Sequence, residues 1–220
     1  MIYICLACDL CENRINYGFS SMRNEEDDQE GINDFFLNLL FKSAKRKLNQ
    51  GVKNMSKREI LLLGNPSLYN VSREAGQGEL AKITEVAGDL QDTLLDFRAK
   101  YGFGRAIAAP QIGEFLRMIY MNLDGQSYCL INPRLELGDQ QFEMWDDCMS
   151  FPGLEVRVKR FRKLKMIYKD LEWQDRCWEA ENDLSELIQH EYDHLDGILA
   201  IQRGVDSRSF RINQKKTGCF

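Results

Sequence analysis

The chain contains two histidines, His190 and His194, and both sit in the run His190-Glu191-Tyr192-Asp193-His194. No other feature restricts the fold as strongly, because the run makes chemical sense only on a helix. At about 100° per residue, His190, Glu191 and His194 fall within an arc of roughly 100° and point the same way. Asp183-Leu184-Ser185-Glu186 has the form of a capping box with Asp in the usual Ser/Thr place, and Gly197 stands where such a helix would end. The spacing predicts a helix over roughly 184–196.

Neutral imidazoles one turn apart hold one cation between them, and the glutamate reaches water on that cation rather than the cation itself. A bare HExxH also arises by chance on helices whose histidines are ordinary surface or core residues. Here the aliphatic approach Leu184, Leu187, Ile188 favours burial, and no other histidine competes. Zinc or ferrous iron needs a third protein ligand, which must then be Cys, Asp or Glu. Of seven cysteines, Cys148 stands out, in the turn-rich segment Asp146-Asp147-Cys148-Met149-Ser150-Phe151-Pro152-Gly153 between two β-prone regions. The ordinary alternative for any one cysteine is a buried thiol acting as a small hydrophobe.

Composition excludes several classes. At 220 residues, with 44% hydrophobic and 29% charged residues, the chain reads as one soluble globular domain with or without an appendage. A net charge of -5 provides no general attraction to phosphates, so no nucleic-acid site is expected. The odd, sparse cysteines argue for a reducing compartment over a disulfide scaffold. No apolar run approaches the roughly 18 residues of a spanning helix. The opening residues lack a basic region and meet Asp9 early, a poor secretory signal, which predicts a cytoplasmic protein.

Residues 1–54 are expected to be an extension, poorly packed or partly helical. An acidic stretch at 25–30 precedes a basic run, and Phe36, Leu40 and Ala44 recur every four residues behind Asn33 or Asp34. Cys5, Cys8 and Cys11 have metal-like spacing but no clear fourth ligand. The main domain is expected over 55–205, with 206–220 as a tail. Ile60-Leu61-Leu62-Leu63 before Gly64-Asn65-Pro66 reads as a buried strand or extended segment. Leu80, Ile83, Ala87, Leu90, Leu94 and Phe97 predict an amphipathic helix closed by Gly102. Residues 118–123 and 127–131 flank Asp124-Gly125 as an antiparallel hairpin, and 154–158 and 164–168 are further strands.

With these segments in place, the chain resembles the peptide deformylase family over roughly 57–203. Gly104-Arg105-Ala106-Ile107-Ala108-Ala109-Pro110-Gln111 is similar to that family's GxGxAAPQ loop, the Cys148 segment to its EGCLS, and Gln189-His190-Glu191-Tyr192-Asp193-His194-Leu195-Asp196-Gly197 to its QHExDHLxG. The resemblance implies an α+β fold, with antiparallel sheets packed around a central C-terminal helix carrying HExxH. It also implies metal-dependent hydrolysis of the N-formyl group from the methionine that starts new polypeptides, releasing formate.

By the same resemblance, Cys148, His190 and His194 would hold one ion, Fe2+ first and Zn2+ second. Glu191 would act as the base, with Gln111 and the backbone N–H of Met149 stabilising the oxyanion. Gly104, Ala106, Ile107, Asp147 and Met149 would face substrate. Asp193 reads as structural, with Arg160 its candidate partner. The implied partners are N-formylmethionyl peptides or nascent chains close to the ribosome, with no membrane contact.

Departures from the pattern fall around the peptide groove. Ala106 replaces a glycine, Asp146-Asp147 replace Glu-Gly, Met149 replaces leucine, and Glu155 lies where a basic residue is common. An altered groove with an intact centre is therefore expected. The alternatives are a non-catalytic homologue that binds peptides or a partner, and an HExxH peptidase cutting ordinary amides.

Overall fold

The structure, a computed structural model, describes residues 57–216. The expectations for the helix through Phe36, Leu40 and Ala44 and for the Cys5, Cys8, Cys11 cluster lie outside the described residues.

The first helix, α1 (Leu80–Tyr101), buries Ile83, Val86, Leu90, Leu94 and Phe97, while Leu80 at its start remains exposed. Gly102 closes it at φ 77, its N–H donating to the Arg98 carbonyl, a left-handed residue that glycine adopts without strain. Three strands follow: β1 (Ala106–Ala108), β2 (Met118–Leu123) and β3 (Gln126–Leu137). The β2–β3 hairpin pairs Leu123 with Gln126 around Asp124 (φ 50) and Gly125 (φ 82), the two positive φ values of a tight two-residue turn. Then come β4 (Gln141–Asp147), β5 (Leu154–Phe161), β6 (Lys163–Lys169), β7 (Asp175–Glu181), helix α2 (Asn182–Leu195) and β8 (Phe210–Ile212).

All pairings between these strands are antiparallel. One sheet runs β1-β2-β3-β6-β7, and the second runs β4-β5-β8. Helix α2 packs on β1 and β7 of the first sheet and on β5 of the second. Its apolar side, Leu187, Ile188 and Leu195, joins Ala106, Ile119, Met121, Leu130 and Met166 in one core cluster. A second cluster gathers Cys148, Val156, Val158, Leu68 and Leu199. The fold is thus the expected α+β arrangement, and the HExxH run lies on α2. No helix among the described residues is long and apolar enough to cross a membrane.

Three local expectations are corrected. Residues 60–63 do not join a sheet. Leu61 N–H donates to the Gln111 carbonyl and Leu63 N–H to the Ser150 carbonyl, both at 2.8 Å, so their backbone partners are loops, and Leu62 and Leu63 are exposed. The helix does not use Asp183 as its cap. It starts at Asn182 with Glu181 in the cap position, because β7 runs straight into it through a sharp bend at Asn182 (φ 53). Glu186 is consequently buried instead of reaching back to close a capping box. Residues 206–216 are not a loose tail either, since β8 pairs Phe210, Arg211 and Ile212 with Val156, Glu155 and Leu154.

Candidate active site

Helix α2 carries His190 and His194 on successive turns, while Cys148 comes from the turn just after β4. These three side chains bring one donor atom each to within 4.8 Å of one another, and all three residues are buried. Cys148 Sγ lies 3.3 Å from His194 Nε2. The two rings meet edge to face with centroids 5.0 Å apart. A site built from distant stretches of chain thus converges where α2 faces the β4–β5 sheet.

The donor set fits a borderline-soft divalent ion, one thiolate and two imidazoles. The surrounding atoms fit it as well. Glu191 Oε2 is buried without a hydrogen-bond partner, an arrangement that costs free energy in a protein with nothing else to bind. Asp146 Oδ1 stands 2.8 Å from His190 Nδ1 but off the ring N–H direction, so the contact is electrostatic in character.

Charges behind the ligands form a buried ladder. Arg160 Nη2 donates to Asp146 Oδ2 at 2.9 Å, and its Nη1 donates to Asp193 Oδ2 at 2.6 Å, the pairing expected from the sequence. Arg203 closes the far end, donating to Asp193 Oδ1 at 2.7 Å. Each buried carboxylate thereby faces a cation, the condition for burying such charges at all. Gln189 fixes the helix to the end of β5, accepting from Phe161 N–H at 2.9 Å and donating to the Phe161 carbonyl at 2.8 Å.

Protonation follows these surroundings. Burial lowers the His194 pKa well below the ordinary imidazole value, keeping the ring neutral as a ligand must be. Burial pushes His190 the same way, but the negative charges of Asp146 and Cys148 outweigh it and the net shift is upward. Burial raises Glu191 to about 7, the range suited to a general base at neutral pH. Burial, followed by the like charge of Asp146, raises Glu186 to about 8.

Gln111 is buried, its Oε1 accepting from Ala108 N–H at 2.9 Å. That bond aims Nε2 at Ser150 Oγ, 3.2 Å away, and at Cys148 Sγ, 3.6 Å away. A cleft of about 800 Å³ opens beside His190 and Glu191, and Gly104, Ala106, Asp147 and Met149 line it. Ile107 does not. Its side chain is fully buried in the core cluster that includes Ile83, Leu90 and Leu94 of α1.

The sequence reading named Asp146, Gln189 and Glu186 without the roles they take here, and it did not single out Arg203. Asp146 carried a signal, since it stands two residues before Cys148 near the end of β4, whereas Arg203 meets Asp193 only through tertiary structure.

An α+β fold whose central helix presents His-Glu-x-x-His to a buried cysteine, beside an open cleft, makes a candidate metal site of the kind hydrolases use. Comparison with known proteins agrees. A family model of polypeptide deformylases matches residues 57–210. A peptide deformylase of Dictyoglomus thermophilum is 34% identical over 150 residues, covering 68% of this chain and 94% of that one. Peptide deformylase 1 of Prochlorococcus marinus is 37% identical over 172 residues, covering 71% and 85%. The crystal structure of a peptide deformylase from Legionella pneumophila superposes with a TM-score of 0.62 at 27% identity, covering 67% and 86%. The chain belongs to the polypeptide deformylase family, and it is an enzyme of that hydrolase class.

Proposed function

We propose that this protein hydrolyses the N-formyl group of N-formylmethionyl peptides and nascent chains, releasing formate and a free amine. The observation that carries the reading is the convergence of Cys148, His190 and His194 with Glu191 at one end of the cleft. In this reading the three ligands hold one divalent ion, ferrous iron first and zinc second. When bound, such an ion supplies Lewis acidity and makes water nucleophilic near neutral pH.

The chain's own residues do the rest. Glu191 takes a proton from the attacking water and returns it to the departing amine as the formyl C–N bond breaks. The Gln111 amide, aimed by Ala108 N–H, donates to the former formyl oxygen as negative charge develops there, together with the backbone N–H of Met149. Asp146 holds the His190 ring in place from behind. Strand β1 lies at an edge of its sheet, which suits pairing with an extended peptide laid along Gly104, Ala106 and Ile107.

The domain reading is that the hydrolase begins at 55, with 1–54 outside it as an extension; an end at 205, with 206–220 as a tail, is too early, since β8 pairs with β5 and the family match runs to residue 210. The family match beginning at residue 57 supports the first boundary. Work on new chains would place the protein near ribosomes in the cytoplasm.

Formate release from formyl-Met-Ala-Ser by iron-loaded wild type, beside Glu191→Ala, tests the reading. Turnover by wild type and loss of at least about a hundredfold in the variant, with metal content retained, is expected. Absence of formate from every formyl-methionyl peptide, or metal-free protein on anaerobic isolation, would favour a non-catalytic homologue.

A further inference from the structure

Lys216 stands at the cleft, although 69 positions of chain separate it from Asp147, the carboxylate it meets there. Strand β8 carries it to that place. Ile212 pairs with Leu154 of β5, Asn213 N–H donates to the Gly153 carbonyl at 2.7 Å, and Lys216 N–H closes the next turn on the Asn213 carbonyl at 3.0 Å. Its Nζ then donates to Asp147 Oδ2 at 2.7 Å and to Glu155 Oε1 at 3.2 Å, and lies 5.3 Å from the centre of the Phe103 ring. Lys216, Asp147 and Phe103 line the same cleft as His190 and Glu191.

The two carboxylates depend on Lys216 unequally. Glu155 also accepts from Arg211 and Asn213, and keeps both if Lys216 is lost. Among the described residues Asp147 has no second ion pair, and its side chain is only 32% exposed. Phe103 and Met149 line the cleft with it, and a bare charge between apolar walls acts more strongly than one on an open surface. A formylated peptide laid along Gly104 and Ala106 passes beside Phe103, so the side chains after its first residue come near Asp147. With Lys216 in place they meet a neutral pair. Without it they meet a carboxylate that attracts lysine and repels aspartate. Resting on the hydrolytic reading above, we propose that Lys216 is a positioning residue of the peptide cleft that acts through Asp147. By holding and cancelling that carboxylate, it keeps the cleft open to peptides with acidic residues after the formylated methionine.

N-formyl tripeptide amides with methionine first, and aspartate or lysine at the second or third position, test this on metal-loaded wild type, Lys216→Met, Lys216→Arg and the double variant Lys216→Met, Asp147→Asn. Methionine at 216 keeps an apolar stem beside Phe103 and removes the charge. Its ratio of kcat/KM for lysine over aspartate peptides is expected to exceed that of wild type at least about fivefold at one of the two positions. Lys216→Arg should hold the wild-type ratio. Adding Asp147→Asn to Lys216→Met should restore it, which a mere loss of β8 packing would not allow. A Lys216→Met ratio within about twofold of wild type at both positions, or a rise that survives Asp147→Asn, overturns the proposal. Should Lys216→Met not fold, Asp147→Asn alone decides. It leaves the Lys216 charge less balanced and should lower the ratio, and an unmoved ratio overturns the proposal.

Calorimetric binding of the N-acetyl counterparts gives a readout independent of turnover. If no peptide releases formate the hydrolytic reading fails, and the binding ratios still judge Lys216. A lysine-over-aspartate preference that rises in Lys216→Met and returns with Asp147→Asn sustains the proposal, and an unchanged one overturns it.

Discussion

Asp146 Oδ1 lies 2.8 Å from His190 Nδ1, and the same carboxylate accepts a 2.9 Å hydrogen bond from Arg160. Its negative charge favours a proton on Nδ1 and directs the other ring nitrogen toward Cys148 and His194. Removing that charge should weaken metal binding while the three ligands stay in place. Asp146→Asn is expected to lose about 10–100-fold in metal affinity, measured by competition with a chromogenic chelator. An affinity equal to wild type would mean that Asp146 serves only to balance Arg160.

Cys148→Ser exchanges a thiolate donor for a hydroxyl that stays protonated at neutral pH and is a poor partner for zinc or ferrous iron. The buried site cannot recruit a replacement histidine, since both are already used. The expected outcome is a loss larger than the roughly 10–100-fold assigned to an outer partner, seen as substoichiometric metal by elemental analysis after dialysis. Full occupancy in the serine variant would remove Cys148 from the ligand set.

What the sequence disclosed and what it concealed divide along sequence separation. The α1 stripe, the Asp124-Gly125 hairpin and the HExxH face are set by periodicity and turn chemistry within a few residues, so they could be read directly. Cys148 was accessible by counting available ligand types. Glu186 was misjudged because Asp183 and Glu186 match a capping box in spacing, while the direct run of β7 into α2 decides where the helix starts. Arg203 and residues 210–216 were opaque for a different reason. Their partners, Asp193 and Glu155, are set by tertiary packing and no local pattern encodes them.

Glu155 is the anchor of that C-terminal segment. Its carboxylate accepts from Arg211 Nε at 2.7 Å, Asn213 Nδ2 at 2.8 Å and Lys216 Nζ at 3.2 Å. Burial alone would raise its pKa, but the three donors outweigh burial and hold it below the usual carboxylate value. A depressed carboxyl stabilises the fold above its unfolded pKa, near 4.3, and loses that contribution as pH falls through the lower folded value. Wild type should therefore keep residues 210–216 protected from trypsin at neutral pH. Glu155→Gln should expose Arg211 and Lys216 to cleavage and cost about 1–3 kcal/mol in thermal unfolding. The variant should also lose part of the fall in stability that wild type shows below about pH 4. Cleavage at the wild-type rate would show that strand pairing alone retains β8.

Gly197 ends α2 at φ +70, and a Cβ built there would collide with the Tyr69 carbonyl oxygen. Two separate penalties follow for alanine. The left-handed conformation costs an L-residue about 1–2 kcal/mol. The contact with Tyr69 is with backbone, which cannot swing aside as a flexible side chain would, so either the helix end or the 66–69 turn must move. The N–H groups of Gly197 and Ile198 donate to the carbonyls of His194 and Asp193, so movement at the helix end reaches the candidate ligand His194 directly. Gly197→Ala is expected to lower stability by at least about 2 kcal/mol, a fall in Tm of about 4–8 °C for a domain of this size, with weakened metal retention. Differential scanning calorimetry with and without added metal separates the two effects. A variant with unchanged Tm would show that the Tyr69 turn yields freely, and one destabilised without metal loss would show that the shift is absorbed on the Tyr69 side and not in α2.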